Sequence, residues 1–155
     1  LGLAKTTQLV GAISPGVVSR ARRNSWPSAE AALGHFQHKK AFAKWDPQVL
    51  QDYVDAFPED AEGKRTLDFD RAIETAFYNT LPDNLDRLLA RHPVKCPVTF
   101  IGGDQSAEMK QVGMAMTEKV TRGRIMMLDG SHLFPMEKPL ATAAALEAAL
   151  RNMEP

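Results

Sequence analysis

A histidine able to move protons stands in Gly130-Ser131-His132-Leu133-Phe134-Pro135-Met136-Glu137-Lys138-Pro139. Before it runs Arg124-Ile125-Met126-Met127-Leu128-Asp129, an apolar segment of strand length. After it, residues 140–150 are rich in Ala and Leu and free of Gly and Pro, which predicts a helix. The decamer is therefore a loop between a strand and a helix. Gly130 frees the backbone at the strand end, and Pro135 and Pro139 hinder an early helix. An imidazole on such a loop suits general acid–base chemistry; the competing reading is an ordinary surface histidine. A second stretch, Lys95-Cys96-Pro97-Val98-Thr99-Phe100-Ile101-Gly102-Gly103-Asp104-Gln105-Ser106, is a strand running into a glycine turn. Asp104 on that turn reads, from its place alone, as a turn residue bonding its own backbone.

The elements that must hold these loops follow from patterning. In residues 1–23, Leu9, Val10, Ile13, Val17 and Val18 offer a helical stripe that Ser14-Pro15-Gly16 would interrupt. Ser28 is a good cap for a helix whose apolar face is Ala32, Leu33 and Phe36. His35 and His38 are three residues apart on it, but no further carboxylate or cysteine completes a metal site, so no metal is expected. Asp46-Pro47 starts a second helix, with Val49, Leu50, Tyr53, Val54 and Phe57 as its buried stripe. A third is expected over residues 68–78, turning Phe69, Ala72, Ile73, Ala76 and Phe77 inward. A fourth, in residues 81–90, ends at His92-Pro93. A strand at 98–101 precedes an amphipathic helix over 106–120, through Met109, Val112, Met116 and Val120.

Composition narrows the function classes. The 155 residues carry 19 basic and 19 acidic side chains, which gives no electrostatic case for nucleic acid or an anionic membrane. No apolar run is long enough for a membrane span, and the N-terminal segment lacks the pattern of a secretion signal. The single Cys96 excludes an internal disulfide framework, fits a reducing, cytoplasmic setting, and reads as a small buried residue at a strand start.

"PVTFIGG", a helix, "IMMLDGSHLFPMEKP" and an Ala/Leu helix together resemble the last two strand–helix units of an α/β-hydrolase. The resemblance implies an α/β fold, mostly helical with two parallel strands, and gives His132 the role of triad base. Upstream, "ARRNSWPSAEAALGHF…FAKWDPQVLQDYV" resembles the helical cap that roofs the pocket in many α/β-hydrolases. It implies a cap over residues 1–80 and the C-terminal part of the core over 81–155. It also places Trp26, Phe36, Trp45 and Tyr53 near a substrate pocket, against the plainer reading that they are core anchors. By register with the family's strand-end pattern, Ser106 occupies the position of the triad acid and Asp104 lies two residues early; the resemblance implies either that Asp104 is the acid that orients His132, through a rearranged turn, or that the acid comes from an earlier strand end, upstream of residue 1.

The family's nucleophile sits in a Gly-x-Ser-x-Gly turn, and none occurs here: Ser14, Ser19, Ser25, Ser28, Ser106 and Ser131 all lack the paired glycines. The chain opens on Leu1, as a processed or trimmed polypeptide would, and the resemblance covers only the back half of the family's domain. The expectation is a segment that supplies the base and the cap for hydrolysis of a small apolar ester, lactone or epoxide. No cofactor is needed for that chemistry, and the partner is the N-terminal half of the same fold or a copy of this chain. The alternative is a non-catalytic helical module, since two strands alone leave exposed edges that should pair with something.

Overall fold

A computed structural model describes residues 19–80 and 84–153. The predicted stripe at Leu9–Val18 and the start of the fourth helix, Leu81-Pro82-Asp83, lie outside these residues. The chain divides into two compact units, one from Leu1–Ala32 and Phe57–Asp83, the other from Leu33–Ala56 and Asn84–Pro155.

In the first unit, β1 (Ser25–Trp26) pairs antiparallel with β2 (Arg65–Thr66), a contact that residue patterning did not announce. It seats Trp26, which is buried and stacked on Phe57 with ring centroids 5.5 Å apart. Helix α3 (Arg71–Asn79) is capped by Asp70, whose carboxylate accepts the Ala72 N–H at 2.7 Å. Its facing differs from the expectation. Phe69, Ile73 and Phe77 are exposed, whereas Thr75 is buried and shares a 3.0 Å hydrogen bond with Ser19. Glu74 accepts from Ser19 and pairs with Arg22 at 2.8 Å. The polar side of the helix is thus the one its own unit holds, and the apolar stripe is left outward.

Helix α1 (Ala29–Gln37) begins where Ser28 Oγ accepts the Ala31 N–H, as its cap position predicts. In the second unit a 3₁₀ turn, Lys40–Phe42, leads to α2 (Pro47–Asp55). Asp46 accepts from the N–H groups of Gln48 and Val49, and Pro47 sits in the first turn, where its missing N–H costs nothing. Of the predicted stripe, Leu50, Val54 and Phe57 are buried. Phe36, Phe42, Trp45 and Tyr53 form one aromatic cluster with centroids 4.6–5.8 Å apart. The backbone at Asp46 is tied to the decamer loop by its N–H bond to Met136 O at 2.8 Å.

Helix α4 (Leu85–Arg91) ends at His92, whose N–H returns to Leu88 O. Cys96 is exposed, not buried, because it precedes the strand proper: β3 is Phe100–Gly103, shifted toward the glycines. It pairs in parallel with β4 (Ile125–Leu128), Phe100 opposite Ile125 and Gly103 opposite Leu128. The expected single helix after β3 is two, α5 (Ala107–Val112) and α6 (Ala115–Thr121). Gly113 at φ 79° separates them, a conformation that glycine adopts without strain. The decamer holds a helical turn of its own, α7 (Phe134–Glu137), because Pro135 falls in the first turn, where a proline is tolerated. The last helix is α8 (Pro139–Arg151), with Ala145 and Ala149 buried. Among the described residues no helix is long and apolar enough to cross a membrane.

Candidate functional site

Two loops leave the C-terminal ends of the parallel strands and are bound to each other. The Asp104 N–H donates to Leu128 O and the Gln105 N–H to Gly130 O, each at 2.9 Å. In return the Gly130 N–H donates to Asp104 Oδ1 at 3.1 Å. The Gln105 amide reaches Asp129 at 2.7 Å, and Lys138 pairs with the same Asp129. Close approach makes Gly103 obligatory: a Cβ there would stand 2.0 Å from Ser131 O and 2.5 Å from Gly130 O. Gly130 is constrained in the same way, since a Cβ on it would meet the Cβ of Phe134 at 2.8 Å.

Glu137 fixes the turn that carries the histidine. Its carboxylate accepts the Ser131 N–H at 2.9 Å and also the Ser131 hydroxyl, and that hydroxyl in turn accepts the Leu133 N–H at 3.0 Å. His132 therefore springs from a backbone held on both sides, while its own side chain is 61% exposed. Its ring borders two depressions. One, about 260 Å³, is apolar and follows β3 and α5 through Ile101, Met109, Val112 and Phe134. The other, about 700 Å³, is bounded by Lys40, Ala43 and Lys44 of the segment before α2, and by Gln105, Glu108 and Leu133. Lys44 Nζ donates to Gln105 Oε1 at 3.3 Å.

Asp104 accepts the Gly130 N–H through Oδ1 and forms no ion pair with His132. The groups at His132 Nδ1 are Ser106 Oγ at 3.4 Å and Glu108 Oε2 at 3.9 Å. Ser106 is 1% exposed and caps α5, accepting the Met109 N–H at 3.2 Å and donating to Glu108 Oε2 at 3.1 Å. Glu108 is held below the ordinary carboxylate range, first by its own backbone N–H, then by the Ser106 hydroxyl and by the nearby imidazole. Glu108 was missed by pattern reading. The signal that could have found it is its place two residues past Ser106, in the first turn of a helix that Ser106 caps.

The four aromatic residues expected at the pocket are placed unevenly. Phe36, Trp45 and Tyr53 belong to the cluster of the second unit, and Trp26 is buried against Phe57 in the first. None of the four borders the two depressions beside His132; the segment joining α1 to α2 borders the larger one instead, through Lys40, Ala43 and Lys44. His38, just past the end of α1, has its Nδ1 2.8 Å from Gly34 O of that helix. Among the described residues no group of three or more His, Cys, Asp or Glu is placed to hold a metal ion.

No protein-family model matches this chain, and no curated protein matches it in sequence. Solved structures do. E-2-(acetamidomethylene)succinate hydrolase superposes at a TM-score of 0.68 and 15% identity, over 86% of this chain and 49% of that one. The peroxisomal α/β-hydrolase Lpx1 from Saccharomyces cerevisiae superposes at a TM-score of 0.63 and 16% identity, over 84% of this chain and 36% of that one. At these identities the likeness is one of fold. The chain has the fold of the C-terminal part of an α/β-hydrolase, and it spans about half the length of the first of these proteins.

Proposed function

We propose, from an α/β-hydrolase fold of which this chain supplies the C-terminal part, that His132 is the general base of a hydrolase. The observation that carries the reading is the seat of His132: an imidazole at the tip of the strand that closes the sheet, on a backbone pinned by Glu137 and Asp104, beside two open depressions. In such a site the base takes a proton from a nucleophilic hydroxyl or from water and later returns it to the leaving group. The nucleophile and the oxyanion donors would come from the N-terminal half of the fold or from a second copy of the chain. The substrate class is a small apolar ester, lactone or epoxide, in keeping with the apolar wall of Ile101, Met109 and Phe134. Residues 1–80 would form the cap and 81–155 the core segment, in a cytoplasmic enzyme without a cofactor. The test is hydrolysis of aryl esters by the full-length protein. His132→Ala should lower kcat by about 10³–10⁴-fold with the fold intact, and full activity in that variant would remove His132 from the mechanism.

A second reading, a non-catalytic helical module that pairs with a partner chain, is favoured by the outward stripe of α3. Intact mass and native sizing separate the two. A mass near double, or a co-purifying chain of similar size, supports the hydrolase, and a well-folded monomer of this mass supports the module.

A further inference from the structure

The hydroxyl of Ser106 has one proton and two lone pairs, and three neighbours are placed to use them. The Met109 N–H, 3.2 Å away, can only donate, so it takes one lone pair. Glu108 Oε2, at 3.1 Å, belongs to a carboxylate held ionised by the lowering described above, and an ionised carboxylate can only accept. The hydroxyl proton therefore goes to Glu108. What remains for His132 Nδ1, at 3.4 Å, is the second lone pair. That pairing is attractive only if Nδ1 carries a proton. The opposite assignment, with the hydroxyl donating to Nδ1, would turn an oxygen lone pair on the carboxylate at 3.1 Å.

We infer that Ser106 and Glu108 are positioning residues, a relay in which His132 Nδ1–H donates to Ser106 Oγ and Ser106 Oγ–H donates to Glu108, holding the neutral ring with its lone pair on Nε2. This inference rests on the reading of His132 as base and deepens it. It gives the buried serine the task of linking the ring to an acid, since Glu108 Oε2 stands 3.9 Å from Nδ1, beyond direct hydrogen-bond reach, and the hydroxyl bridges the two. The relay has no competitor among the other acids of the two loops, since Asp104 is held by Gly130, Asp129 by Gln105 and Lys138, and Glu137 by Ser131. The cations bordering the larger depression are Lys40 and Lys44. Without a partner at Nδ1, the proton is free to move to Nε2 and the base is lost in that fraction of molecules.

The experiment reads the tautomer, not the reaction. Two-bond ¹H–¹⁵N spectra of the full-length protein are recorded at a pH where His132 is neutral. The wild type should show Nδ1 as the protonated, pyrrole-type nitrogen and Nε2 as the pyridine-type one. Glu108→Ala, a change at a side chain 59% exposed, should move the two resonances toward each other or exchange them. Adding Ser106→Asp to that variant should restore the wild-type pattern, because aspartate caps α5 as serine does and puts a carboxylate directly at Nδ1. Ser106→Ala also loses the cap, so the double variant keeps the test independent of folding. An Nε2–H tautomer in the wild type, or an unchanged pattern in Glu108→Ala, overturns the relay. Because no substrate is present, the relay can fail while His132→Ala still abolishes hydrolysis, and it can hold in a protein that hydrolyses nothing.

Discussion

At the ends of β3 and β4, four carboxylates are each matched to a donor within the same pair of loops: Asp104 to Gly130, Glu108 to Ser106, Asp129 to Gln105 and Lys138, Glu137 to Ser131. Helix α3 presents the reverse situation. Its polar groups Glu74 and Thr75 are satisfied inside the unit, but Ile73 and Phe77 are 59% and 71% exposed. The strand-end loops are complete as they stand, whereas the α3 stripe has apolar surface with nothing described against it. Polar groups left unmatched in a tight loop would each cost free energy, so a loop that survives is one whose donors and acceptors close on each other. An exposed apolar face carries no such local penalty and can await another surface.

The sharpest way to break the loop side is steric. Gly103→Ala would set a methyl group 2.0 Å from Ser131 O, and a backbone atom cannot swing away as a side-chain end can. The expected loss is roughly 3 kcal/mol or more by denaturant unfolding and, on the proposed reading, hydrolysis goes with it. Gly34→Ala in α1 is the control: a Cβ there meets nothing within 4 Å, and the change should stabilise by about 0.5–1 kcal/mol. Next in size is Glu137→Ala, which strips the Ser131 N–H and hydroxyl of their acceptor. It should cost about 1.5–3 kcal/mol and lower kcat through misplacement of His132, measured on the same preparation by unfolding and ester hydrolysis.

Helix α3 sharpens the comparison from the other end. Ile73→Lys and Phe77→Lys should change stability by no more than about 0.5 kcal/mol if the stripe faces water. Sizing of the variants should then show less self-association than the parent. A loss of about 2 kcal/mol or more in the full-length protein would mean that further polypeptide covers this face.

The same contrast separates what could be read in the sequence from what could not. Asp46-Pro47 predicted the start of α2 because a cap and a proline act through neighbours in the chain. The parallel strands and the loop histidine were legible for a similar reason, as short apolar runs that end at glycine. The facing of α3 was not legible. Periodicity finds an apolar stripe but not whether anything lies opposite it, and here the helix was turned by Ser19 and Arg22, more than fifty residues away. The break at Gly113 needed a positive φ, which a lone glycine permits but does not demand. The partner of His132 depended on the rotation of one turn. Asp104, Ser106 and Glu108 lie within five residues; Asp104 accepts from Gly130, while Ser106, which caps α5, and Glu108 stand 3.4 and 3.9 Å from the ring nitrogen.

The smallest expected effect concerns Asp129, an exposed link in the loop network. Its pKa is lowered from 3.8, chiefly by the hydrogen bond from Lys138 and then by that ammonium's charge, with Gln105 and Lys44 adding to the lowering. A carboxyl with a depressed folded-state pKa contributes stability that is fully present above its unfolded value. That contribution fades as pH falls through the folded value, because the unfolded chain takes up the proton first. The acid limb of the stability curve, below about pH 4, should therefore flatten slightly in Lys138→Met while stability near neutrality changes little. Salt should produce the same flattening in the parent, since both side chains face solvent. Equal acid limbs in parent and variant at low salt would show that Lys138 leaves the charge on Asp129 unsupported, and the hold on that carboxylate would then rest on Gln105.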